Sequence, residues 1–183
     1  MNRFGSVVDR RCLAARGIFT VALSLTAGFA GSLAFADGAI PTHRLPAMLA
    51  AEAVTEAVAS CAKQGYAVSA VVIDIDAVRQ AELRGDRAGV HTAEGAWRKA
   101  YTAVSVAPIA KLDSSAPMAE KVKTDATLQA LEFQPGLAFI AGGLTIKVGD
   151  EVIGAIGVGG APGGERDEAC ARAGLDRIKD RLK

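Results

Sequence analysis

The side chains best suited to chemistry crowd into one stretch, "ELRGDRAGVHTAEGAWRKAYTA", from Glu82 to Ala103. It carries Asp86, one of the two histidines (His91), the only tryptophan (Trp97) and the cations Arg84, Arg87, Arg98 and Lys99. Two chemistries fit these types. Asp86, His91 and Lys99 form a titratable set suited to acid–base work on a small organic acid or cofactor fragment. The same stretch also suits a flat, anionic, metal-bearing cofactor. Trp97 and Tyr101 would wall its ring, Arg84, Arg87, Arg98 and Lys99 would meet its carboxylates, and Thr102 or His91 would approach the metal. Each residue alone also has a plainer reading. A histidine in a polar loop commonly faces solvent, a tryptophan packs in a core, and an Asp86–Arg87 pair in water is worth about 0–1 kcal/mol. The residue types leave these alternatives open.

Other chemistries lack their signatures. In "GAIGVGGAPGG", Gly157, Gly159 and Pro162 occupy the three slots that a dinucleotide-binding G-x-G-x-x-G reserves for glycine, and no β-α-β pattern surrounds them. Gly154 and Gly157 instead read as sites of close packing on a strand. No G-x-S-x-G occurs, and His43 and His91 are too few for a zinc hydrolase site.

Several elements must position the Glu82–Ala103 stretch. Apolar residues at helical spacing from Leu45 to Gln64 predict a helix, with Gly65 as its left-handed stop. "YAVSAVVIDI" reads as a buried strand, followed by a turn near Asp76 and an antiparallel partner in "VRQAELR". After the loop Gly85–Val90, a helix is expected from His91 or Thr92 to about Val106, with Thr92 as its N-cap and Pro108 beyond its end. Short helical turns are expected near Pro117–Lys123 and Ala126–Leu131. "LAFIAGG", "LTIKVGD" and "EVIGAIGVGG" read as three strands, and a final helix starts near Glu165. The order of elements implies an α+β domain with a five-stranded antiparallel sheet.

The first 36 residues stand apart. Arg3, Arg10, Arg11 and Arg16 precede an apolar run from Gly17 that ends in Ala34-Phe35-Ala36, the pattern of an export signal cleaved after Ala36. Residues 37–44 then form a polar leader and 45–183 a single domain. The whole-chain charge of +1 misleads, because the signal contributes four Arg against one Asp and leaves 17 basic against 19 acidic residues, about −2, with no basic cluster to suggest a nucleic-acid face. Cys61 and Cys170 each sit among alanines on a predicted helix and read as buried free thiols. A bridge between them requires the first and last helices to be neighbours.

The segments "AVVIDIDAVRQAELRGDRAG", "RKAYTAVS" and "FIAGGLTIKVGDEVIGAIGVGGAPGGERDEACARAG", in this order, resemble the GlcG/HbpS-like family of haem-degrading domains. The resemblance runs from Leu45 to the C-terminus. It implies a profilin-like fold, a central antiparallel sheet packed with helices and assembly into a homo-oligomer. For an exported member it implies haem (haem b) binding, a link to haem degradation and oxidative stress, and a membrane sensor kinase as partner. Haem binding makes the domain a carrier or sensor rather than a dedicated enzyme. The Lys-Ala-aromatic-Thr-Ala match carries the family's threonine iron ligand to Thr102, with His91 as the rival and Arg87, Arg98, Lys99 and Tyr101 as further contacts.

Overall fold

The computed structural model describes residues 38–183, and Ile40–Lys183 form one compact unit. The predicted signal segment and its cleavage site lie outside the described residues. The chain forms helix α1 (Ala47–Lys63), strands β1 (Ser69–Asp74) and β2 (Arg79–Arg84), and helix α2 (Thr92–Ser105). Short helices α3 (Ala116–Lys121) and α4 (Ala126–Leu131) follow, then β3 (Gly143–Val148), β4 (Glu151–Gly159) and helix α5 (Gly164–Ile178). All neighbouring strands are antiparallel, in the order β2-β1-β4-β3. Among the described residues no helix is long and apolar enough to cross a membrane.

The sheet separates two cores because successive side chains on a strand point to opposite faces. Ala70, Val72, Ile156 and Val158 join α1 and α5 on one face. Val71, Ile73 and Ala155 meet Ala96, Ala100 and Ala103 of α2 on the other. Helix α2 lies almost on the strand backbone. A Cβ on Gly143 would sit 2.1 Å from the Lys99 carbonyl oxygen, and one on Gly157 would sit 2.0 Å from that of Ala96. Any larger residue would push the helix off the sheet, so the close-packing role expected for Gly157 is what the fold uses.

The sheet has four strands, not five. "LAFIAGG" (137–143) was the expected extra strand, but all of it except Gly143, which opens β3, stays outside the sheet. The outer edge of β3 is already covered by the segment before α3: Ser115 N–H donates to the Gly143 carbonyl, and Thr145 N–H donates to that of Asp113. The displaced segment instead lies over α2. Ala138 N–H donates to Thr102 Oγ1, and the Ile140 carbonyl accepts from Ser115 Oγ.

The expectation of free thiols is also overturned: Cys61 and Cys170 form a disulfide. The alanines that suggested inert burial are what make it possible. Ala50, Ala53 and Ala57 of α1 face Ala171 and Gly174 of α5, and these small residues let the helices approach until the cysteine Cα atoms are 5.6 Å apart. Helix α2 starts as expected, but Thr92 does not cap it. Its hydroxyl donates to the Gly89 carbonyl at 2.7 Å and bonds Ser69 Oγ, pinning the loop to β1.

The leader is tied to the domain. His43 N–H and its ring bond the two oxygens of Glu151, which holds that carboxyl below its ordinary range, while Leu45 is buried and its carbonyl accepts from Gln80.

The bridge closes a loop across a sequence separation of 109 residues. Cys61→Ala/Cys170→Ala is therefore expected to lower unfolding stability by about 4 kcal/mol, most of it through a less constrained unfolded chain. Urea denaturation of wild type and variant, with and without reductant, checks this; only wild type should respond to reductant.

Candidate functional site

Helix α2 is the spine of the site, and the six expected ligand contacts fall in three places along it. Arg87 and His91 occupy the loop at its N-terminal end. Both are exposed, and Arg87 takes φ 64° in the left-handed region. The loop is held by Arg84, whose guanidinium donates twice to the Ala88 carbonyl. The His91 imidazole makes no hydrogen bond among the described residues, although the His91 carbonyl accepts from Gly95 N–H, so the ring is free to bind a ligand from outside.

Arg98 and Lys99 mark the middle of α2 and point apart. Arg98 is exposed and pairs with Glu94, which also takes Arg79 at 2.6 Å. Lys99 is 7% exposed, and its Nζ donates to Asp167 Oδ2 at 2.6 Å. The two residues come from helices on opposite faces of the sheet. The lysine stem reaches Asp167 past Gly142, where a Cβ would lie 2.9 Å from Lys99 Cδ and 3.0 Å from Asp167 Cβ. Asp167 Oδ1 accepts from Ala161 N–H. The pair therefore locks α2 to α5, and the Lys99 ammonium is unavailable to a ligand carboxylate.

Tyr101 and Thr102 lie near the C-terminal end, about 16 Å along the axis from His91. One metal cannot be reached by both His91 and Thr102 of the same chain. Thr102 is fully buried, and its hydroxyl is engaged twice: it donates to the Arg98 carbonyl at 2.9 Å and accepts from Ala138 N–H at 2.8 Å. Tyr101 stacks on Trp97 with ring centroids 5.1 Å apart, and the Arg79 guanidinium lies over the far ring at 5.6 Å.

Tyr101 also walls a groove of about 490 Å³ between α2 and the α3–α4 excursion. Ser105, Ile109, Met118, Leu128 and Leu131 are among its other lining residues. Met118 is fully buried beneath it and Ile109 stands 83% exposed at its rim. Sequence reading found Tyr101 but missed the rest of this groove. The available signal was the recurrence of Leu128, Leu131 and Leu137 in an otherwise polar stretch, which packs with Met118 and Phe139 into a small core of its own.

The comparisons agree with this architecture. The family model described as "Haem degrading protein HbpS-like" matches residues 45–176. The chain belongs to the HbpS-like family. A crystal structure of HbpS is 35% identical, with 75% of this chain and 92% of that chain covered and a TM-score of 0.67. A double mutant of Streptomyces reticuli HbpS is 31% identical over 92% and 97% of the two chains, again with a TM-score of 0.67. PduOC, solved as a haem complex, shares the HbpS-like fold at 22% identity and a TM-score of 0.65, over 74% of this chain and 96% of that one. No curated protein matches the sequence.

Removing one member of a buried ion pair strands the other charge. Lys99→Met is expected to destabilise the protein by about 3–5 kcal/mol. Lys99→Met/Asp167→Asn removes the bare charge and keeps an acceptor for Ala161 N–H, so it should recover much of that loss. Denaturant unfolding of the two variants measures the coupling.

Proposed function

We propose that this HbpS-like protein binds haem outside the cytoplasm, and that the ring enters the groove beside Tyr101. The single observation that carries this reading is that groove: a volume of about 490 Å³, walled mainly by apolar side chains and reached at one side by an aromatic ring. Ligand sites of this size and character are typical for flat organic cofactors. The walls suit the apolar porphyrin body, and its propionates would project to the rim, where Lys111 follows Ala110 and forms no ion pair among the described residues. The family description and the relatedness to HbpS support the choice of haem among such ligands.

The export signal read in the sequence and the Cys61–Cys170 bridge support an oxidising compartment, where disulfides persist. Carriage or sensing of haem, homo-oligomer assembly and a membrane sensor kinase as partner belong to the same proposal. The acid–base alternative loses its constellation. Asp86 and His91 are exposed at one end of α2, whereas Lys99 is buried against Asp167.

Haemin titration of the apoprotein is expected to give a defined Soret band at one equivalent per groove. Ile109→Glu places a charge at the exposed rim and should weaken binding about tenfold or more, about 1.4 kcal/mol or above, without changing the melting temperature. No defined Soret band in the wild type would refute haem binding. Equal affinity in Ile109→Glu would move the site elsewhere.

A further inference from the structure

We infer that Thr127 is a specificity-determining residue of the groove: its hydroxyl donates to a carboxylate of the bound ring, with Lys111 as the cation beside it. The ligand class is then a tetrapyrrole whose propionates are free acids. This rests on the groove being the haem site and is independent of which residue ligates the iron.

The lining of the groove is mostly aliphatic and includes no charged side chain. Its polar side chains are Tyr101, Ser105, Thr127 and Gln134, of which Ser105 Oγ already donates to the Tyr101 carbonyl. The Thr127 hydroxyl and the Gln134 amide make no hydrogen bond among the described residues, and both residues are exposed.

These two donors stand at different ends. Gly136 lies against the aromatic pair, where a Cβ would come within 3.3 Å of the Tyr101 ring, so Gln134 belongs to the Tyr101 end. Thr127 comes one turn before Leu131 on the same wall, about 10 Å from Gln134. The small core beneath the groove takes Leu128 from α4 and Ala110 and Leu112 from the chain just after α2. Thr127 precedes Leu128 and Lys111 stands between Ala110 and Leu112, so both flank that core at the second end.

Charge decides which end receives a carboxylate. Lys111 is exposed, forms no ion pair among the described residues, and is held at φ 56° with its N–H donating to the Pro108 carbonyl. Arg79 and Arg98, the cations next to Trp97, are both committed to Glu94. Beside Lys111 the free donor is Thr127, and a hydroxyl bond to a charged acceptor is stronger than one between neutral groups. The helix backbone supplies no donor here, because the Thr127 and Leu128 N–H groups both donate to Asp125 Oδ1, which also engages the neighbouring acid.

The test titrates ferric haem and its dimethyl ester, which lacks both carboxylate charges, into wild type, Thr127→Val, Thr127→Ser and Lys111→Met, read at the Soret band. Thr127→Val keeps the side-chain shape and deletes the hydroxyl at an exposed position, so the melting temperature should not move. Wild type should prefer the free acid. Thr127→Val and Lys111→Met should each weaken free-acid binding about fivefold and leave the ester unchanged, while Thr127→Ser keeps the wild-type preference. Equal loss for both ligands in Thr127→Val would make the residue a packing contact and overturn the inference, and so would no loss for either. Loss of the acid preference in Gln134→Leu, with Thr127→Val retaining it, would place the carboxylates at the Tyr101 end and overturn it too. If wild type forms no defined haem complex, or Ile109→Glu binds haem as wild type does, the groove reading falls and this inference with it.

Discussion

The buried Lys99–Asp167 pair is the constraint around which the domain is arranged. Helices α2 and α5 lie on opposite faces of one sheet, and this contact joins them around the end of β3 and β4. A charged pair withdrawn from water is costly, and its attraction offsets that cost only in close geometry. Both partners meet that demand: the ions are 2.6 Å apart, and the second Asp167 oxygen takes a backbone N–H. Glycines at 142, 143 and 157 keep the path and the helix–sheet gap open. With the middle of α2 fixed in this way, its ends are free to present an exposed loop at one side and a groove wall at the other.

The groove follows from how the chain leaves α2. Pro108 starts a short 3-10 turn, and α3 and α4 swing out before the chain returns across α2. Thr102 receives the returning backbone at Ala138, and Ser115 receives it at Ile140. These two side-chain contacts hold the excursion at a distance that leaves apolar space rather than a closed core. Thr102 therefore acts on the site as a clamp, and Tyr101, one residue earlier, turns toward the space the clamp preserves.

Much of this was legible in the sequence where a local rule dominates. The periodicity of α1, the positive φ at Gly65 and the extents of α2 and α4 follow from helical spacing and stop signals. The misreadings came from contacts distant in the chain. "LAFIAGG" has strand-like residues, but residues 113–115 had already taken the edge it needed. The cysteines read as inert until the helix pairing brought them within bridging distance. Lys99 resembled a surface cation because Asp167 lies 68 residues away, and no local pattern marks that partnership. The candidate site was legible as a stretch but not as a place, because a helix carries His91 and Thr102 too far apart for one metal ion.

The proposed haem site is the groove at the C-terminal end of α2. Amide chemical shifts of the protein bound to gallium(III) protoporphyrin, a diamagnetic stand-in for ferric haem, test it most directly. Haem in this groove requires the largest changes at Tyr101, Ser105, Ile109, Leu128 and Leu131, with little change around Arg87 and His91. Changes centred on the Gly85–His91 loop, with the groove residues undisturbed, would contradict it.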